Sequence, residues 1–187
     1  MFDILLVVTL LILLSFVVSK NFSLKDDRVL TEAFDGNSYL VRDTPDRTET
    51  ANTLARLNSM VNHFIDLLEK DFEAAKLPVV LRLKKRYRSG ALSEGRISKA
   101  LTSYTVNKGE KVVLCMRSRD ENDTLFSDEI LFSVLLHELA HIASITVDHG
   151  NEWRRNWHYL EDKAVQYKML QHKKVDVDYC GIQLHAI

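Results

Sequence analysis

The chain has 187 residues, a formal net charge of -1 and a hydrophobic fraction of 46%. That length suits one domain with a sizeable core, and the near-neutral charge excludes a global field that gathers nucleic acid or an anionic membrane surface. Six glycines and two prolines rule out collagen-like and long low-complexity segments. Cys115 and Cys180 form no Cys-x-x-Cys and no disulfide framework, so they read as two ordinary thiols.

Residues 2–18, FDILLVVTLLILLSFVV, are apolar except for Asp3. A signal peptide needs a basic start and a small-residue cleavage site. Here the start carries an acid, and Val17-x-Ser19 is a poor site. The run is therefore read as an uncleaved transmembrane anchor over residues 1–19. Lys20, Lys25 and Arg28 all follow it, which predicts a single-pass protein with its domain facing the cytosol. The sequons at Asn21 and Asn122 matter only if the domain is luminal. Residues 20–47 read as a tether with a short extended piece at Tyr39–Val41, and residues 48–187 as the folded domain.

Thr48 or Thr50 is a candidate cap for a helix whose Leu54, Leu57, Val61, Phe64, Ile65 and Leu68 recur on one face. His63 lies among polar neighbours with no second ligand at helical spacing and reads as a surface residue. Pro78 is expected to end that helix. Val79–Arg88 begins with alternating apolar and basic residues and is predicted to be a strand with a basic edge. Its charges could touch phosphate, but no aromatic series accompanies them, and a solvated face is preferred. Two β-rich runs joined by Asn107–Glu110 predict a hairpin. Val112–Met116 should be central and Ser103–Val106 an edge. Ser103, Tyr104 and Thr105 are then candidates for holding an extended peptide by strand addition.

Ser127, followed by Asp128 and Glu129, marks a helix start. The stretch from Ile130 to Ile145 is apolar nearly all round, as in a core helix, yet it contains His137, Glu138 and His141. One turn apart, both imidazoles reach one ion, while Glu138 is rotated toward a bound water without ligating. His149, ahead of Gly150, completes a three-nitrogen site with an open fourth position. Gly150 is expected to supply a positive φ for the turn, and Asp148 to orient a ligand. Glu161, 20 residues past His141, and His158 are rival third ligands. A last helix, Glu152–Leu170, carries Trp153, Trp157, Leu160 and Ala164 as a stripe, and the tail 175–187 looks strand-like.

With HELAH, then His149-Gly150 and Trp153, the chain resembles the WLM and SprT-like zinc metallopeptidases of the zincin class. It is similar in style to small metallopeptidases encoded by large DNA viruses. The resemblance covers residues 81–170. It implies an α+β zincin-like fold, a small mixed sheet packed on helices around the H-E-x-x-H helix, preceded here by the transmembrane segment. It also implies Zn²⁺ held by His137, His141 and His149, with Glu138 as catalytic base. Seven residues separate His141 from His149, an interval that fits neither subfamily's usual spacing. Members of these families cleave proteins, some of them crosslinked to DNA. The expected function is a membrane-anchored zinc endopeptidase acting on protein or peptide through a metal-activated water, on a viral or host membrane. An inert anchored interaction protein and a DNA-associated crosslink protease are the alternatives.

Overall fold

The computed structural model describes residues 26–96, 102–171 and 177–184. The expected anchor and most of the expected tether lie outside them. Among the described residues no helix is long and apolar enough to cross a membrane.

The described chain opens with an antiparallel hairpin, β1 (Arg28–Glu32) and β2 (Ser38–Arg42). This corrects the tether reading. Tyr39 and Val41 of β2 are buried in the core, so folded structure starts well before residue 48. Helix α1 (Arg47–Lys70) follows, with Asp46 rather than either threonine at its N-cap. Its predicted apolar face is buried at all six positions, and that burial, more than capping, holds a helix of this kind in place.

Pro78 starts a helix instead of ending one. Helix α2 (Pro78–Arg86) has Pro78 in its first turn and Lys84, Lys85 and Arg86 in its last. Proline suits a helix start because its missing N–H has no partner there and its φ is already helical, and cations at the end suit the helix dipole. Val79, Val80 and Leu83 are buried while Leu81 is 53% exposed. The true period is therefore helical, and the four-residue alternation that suggested a strand placed Leu81 on the wrong side.

Strands β3 (Leu92–Glu94), β4 (Tyr104–Val106) and β5 (Lys111–Leu114) make a mixed sheet in the order β3-β5-β4. As expected, β5 is central, with Val112, Val113 and Leu114 buried. β4 is the edge next to the site. Helix α3 (Asp128–Ala143) runs through the middle of the core, contacting α1, α2, β4 and α4 (Asn151–Gln166). The chain closes with a second hairpin, β6 (Val177–Tyr179) and β7 (Ile182–Leu184).

The two cysteines are not free thiols. Cys115, just past β5, is disulfide-bonded to Cys180 in the β6–β7 turn, with Cα atoms 6.6 Å apart. Nothing in a pair 65 residues apart signals pairing before the fold brings the two together. The bond seats the last hairpin against the sheet, where Tyr179 packs on Phe126 at 5.0 Å between ring centroids.

Candidate metal centre

Helix α3 explains why two of the histidines are fixed. The Ser127 hydroxyl accepts a hydrogen bond from the Ile130 N–H, capping the helix, and Arg56 pairs with Asp128 in its first turn. Leu131, Phe132, Leu135, Leu136 and Leu139 are completely buried, so the helix cannot rotate without exposing its core face. His137 and His141 emerge on its half-buried side.

The loop after α3 brings His149 to them. Its Nε2 lies 3.1 Å from that of His141 and 3.2 Å from that of His137. Among the described residues these three form the group able to hold a metal ion. Burial and mutual proximity push His137 and His141 down to about 4, so both rings are neutral at physiological pH and offer lone pairs. Imidazole nitrogens brought this close can share one cation through their lone pairs. A tetrahedral zinc with nitrogens at its usual 2.0–2.1 Å sets them about 3.3–3.4 Å apart, close to the observed spacing. The donor set and geometry fit zinc. Gly150 sits at φ -70° as the N-cap of α4, so the turn needs no left-handed glycine. Asp148 folds back on Thr146 and the Gly150 N–H and acts on His149 through its charge.

Trp153 backs all three imidazoles, with ring centroids 4.6, 5.2 and 4.4 Å from His137, His141 and His149. Trp157 stacks on Trp153 at 5.1 Å. Both tryptophans wall the site. Glu161 lies outside the cluster. It lines the same cleft, beside His158 at 3.7 Å, and burial and Asp162 push it up to about 7.

Glu138 is 2% exposed. Burial raises its carboxyl to about 7, against the opposing pull of one hydrogen bond. The donor is the Thr105 hydroxyl of β4, 2.7 Å from Oε2. Ser103 turns elsewhere: its hydroxyl lies 2.6 Å from the Tyr179 hydroxyl and accepts the Cys115 N–H. Tyr104 is 39% exposed at the rim. Ser103, Tyr104 and Thr105 thus all line the cleft, but two of them are already committed to internal partners. The cleft, about 1260 Å³, runs between β4, α3, α4 and the last hairpin, with Tyr179, Ile182 and Gln183 in its far wall.

The sequence did not reveal a set of cations beneath the metal helix. Arg82 donates to the Ala143 carbonyl and pairs with Glu152. Arg86 donates to the carbonyls of Ile142 and Ser144, each at 2.8 Å. Lys108 donates to those of His141 and Thr146. Two cations of the expected basic strand edge, Arg82 and Arg86, are thus spent on the end of α3, where orphan carbonyls and the dipole favour cations, while Lys84, Lys85 and Arg88 stay exposed.

A helix carrying two imidazoles and a buried carboxyl, a third imidazole from the following loop and a mixed sheet edge make a mixed α+β fold with a site able to hold a metal ion. The WLM domain family model matches residues 40–181, so the chain belongs to the WLM domain family. A protein of Acanthamoeba polyphaga mimivirus is 27% identical over 150 residues, covering 78% of this chain and 76% of its own. Among solved structures, Wss1 from Saccharomyces cerevisiae is similar at 18% identity and a TM-score of 0.50, over 69% of this chain and 88% of that one. A mutant of the same protein gives 17% and 0.50, over 69% and 90%. At such identities the likeness is one of fold.

Proposed function

We propose that this chain is a zinc-dependent endopeptidase, with His137, His141 and His149 as metal ligands and Glu138 as general base. The observation that carries the reading is the meeting of three imidazoles, with the His149 Nε2 within 3.2 Å of the Nε2 of both others, beside a carboxyl buried to 2% exposure. WLM proteins are in general zinc metallopeptidases, which supports it. Zinc, when bound, supplies Lewis acidity toward a carbonyl and lowers the pKa of water.

The chain's own residues do the rest. Glu138, pushed up to about 7 by burial, takes a proton at neutral pH and returns it to the leaving amine. Thr105 holds one carboxyl oxygen and leaves the other for that exchange. The outer edge of β4, hydrogen-bonded on its inner side to β5, aligns an extended substrate by main-chain bonds. An inert structural protein has no reason to keep an acid in its core with one hydrogen bond, because burying such a group is costly.

Protein substrates crosslinked to DNA remain the second reading, because WLM relatives include such proteases. The basic run favours it less than its charge suggested, since Arg82 and Arg86 are engaged inside the fold. The membrane tether at residues 2–18 belongs to the same proposal. For its orientation, the Lys and Arg residues flanking the anchor argue for the cytosol. The disulfide argues for an oxidising side, and a glycosidase shift at Asn122 distinguishes them.

The deciding experiment is casein cleavage by the zinc-loaded chain and by Glu138→Gln. The variant should keep its zinc and lose about 10²–10⁴ in rate. Full activity in that variant, or a wild type that binds no zinc, removes the proposal.

A further inference from the structure

The loop that carries His149 has almost no apolar anchorage. Ile145 and Val147 are 68% and 82% exposed, and residues 145–149 all face solvent. Polar bonds hold it instead. Glu152, in the first turn of α4, accepts the N–H groups of Ile145 and Thr146. On the carbonyl side, Arg86 holds Ser144 at the root of the loop, and Lys108 reaches further along it, bridging the carbonyls of His141 and Thr146.

Lys108 occupies an unfavourable place to do this. It sits in the β4–β5 turn at φ +55°, after Asn107 at +46°. Positive φ is a region that favours glycine, and a side chain there is disfavoured. The turn is wedged as well as strained. A Cβ on the next residue, Gly109, would lie 2.8 Å from the Arg86 carbonyl and 3.3 Å from Ile142. Residues kept in such a conformation persist where the surroundings use them. Here the use is visible, because the ammonium joins the last turn of α3 to the ligand loop from the base of the strand that also holds Glu138 through Thr105.

We propose that Lys108 is a positioning residue for the metal centre, which fixes the His149 loop by bridging the carbonyls of His141 and Thr146 and ties it to the edge strand β4. This rests on the zinc reading given above. The bridge sets where the third imidazole stands before the ion arrives, so it acts on metal affinity, and through β4 it keeps base and ligands in one frame.

The test uses the full chain and two variants, Lys108→Gly and Lys108→Met. Zinc affinity is measured by competition with a chromophoric chelator, and melting temperature on the metal-free protein. Both variants should bind zinc about 10–100-fold more weakly, the usual effect of losing a ligand's supporting partner. Metal-free Lys108→Gly should melt at or above the wild type, because glycine relieves the turn. A zinc affinity within about twofold of wild type in both variants overturns the proposal. So does a fall in metal-free melting temperature in both, which makes the lysine a fold residue. A wild type that binds no zinc overturns the parent reading and this one together, whereas a zinc-binding wild type with unaffected variants overturns this one alone.

Discussion

Two of the three imidazoles and the third are held by opposite means. His137 and His141 ride on a helix whose inward side chains are completely buried. Hydrophobic burial therefore fixes them, and they are in place whenever the protein is folded. His149 stands on a solvent-facing loop held by Glu152 and Lys108. That part of the site costs the core nothing to disturb and can be retuned by single polar substitutions. One protein thus contains a rigid half-site and an adjustable one.

The sharpest way to break the comparison is in the core. Leu135→Ala, at a position with 0% exposure, should lower stability by about 2–5 kcal/mol, read by urea unfolding of the metal-free chain. A change below about 1 kcal/mol would mean that α3 is not what anchors the half-site. Next comes Arg86→Met, which removes donors from the carbonyls of Ile142 and Ser144. It should cost about 1–3 kcal/mol in the same assay. No change there would show that the α3 terminus is satisfied without it.

The smallest expected effect on folding, and a large one on metal, comes from His149→Ala. Metal-free stability should move by no more than about 0.5 kcal/mol, while zinc binding drops steeply with one of three nitrogens gone. Glu161→Gln is its counterpart, since that acid lies outside the nitrogen cluster, and zinc binding should stay at the wild-type level. The reverse pattern, with zinc lost only on changing Glu161, would transfer the third ligand to α4.

The same division explains what could be read from the chain alone. Apolar periodicity and a Ser127 cap made α1 and α3 legible, and Asn107–Glu110 marked its hairpin. The third histidine was legible because its position relative to α3 is local. Short or half-exposed elements were not. Val79–Arg86 fits a strand pattern for four residues and a helix pattern for nine, and β1 has too few buried side chains to announce itself. The polar network under α3 was beyond reach, because Arg82, Arg86 and Lys108 meet carbonyls 33 to 61 residues away. Only the folded topology makes them neighbours. Thr105 was singled out for the substrate, and its side chain holds the base, since alternation along a strand says which side a residue takes and not which partner awaits there.

The disulfide between Cys115 and Cys180 has a further consequence. It closes the intervening chain into a covalent ring, and that ring contains α3, the His149 loop, α4 and both tryptophans. A single backbone cut anywhere inside it, including one in the exposed loop 145–149, releases no fragment while the bond is intact. Nicked molecules then stay covalently whole until a thiol is added, so a cut by any protease in this region separates into fragments only on a reducing gel.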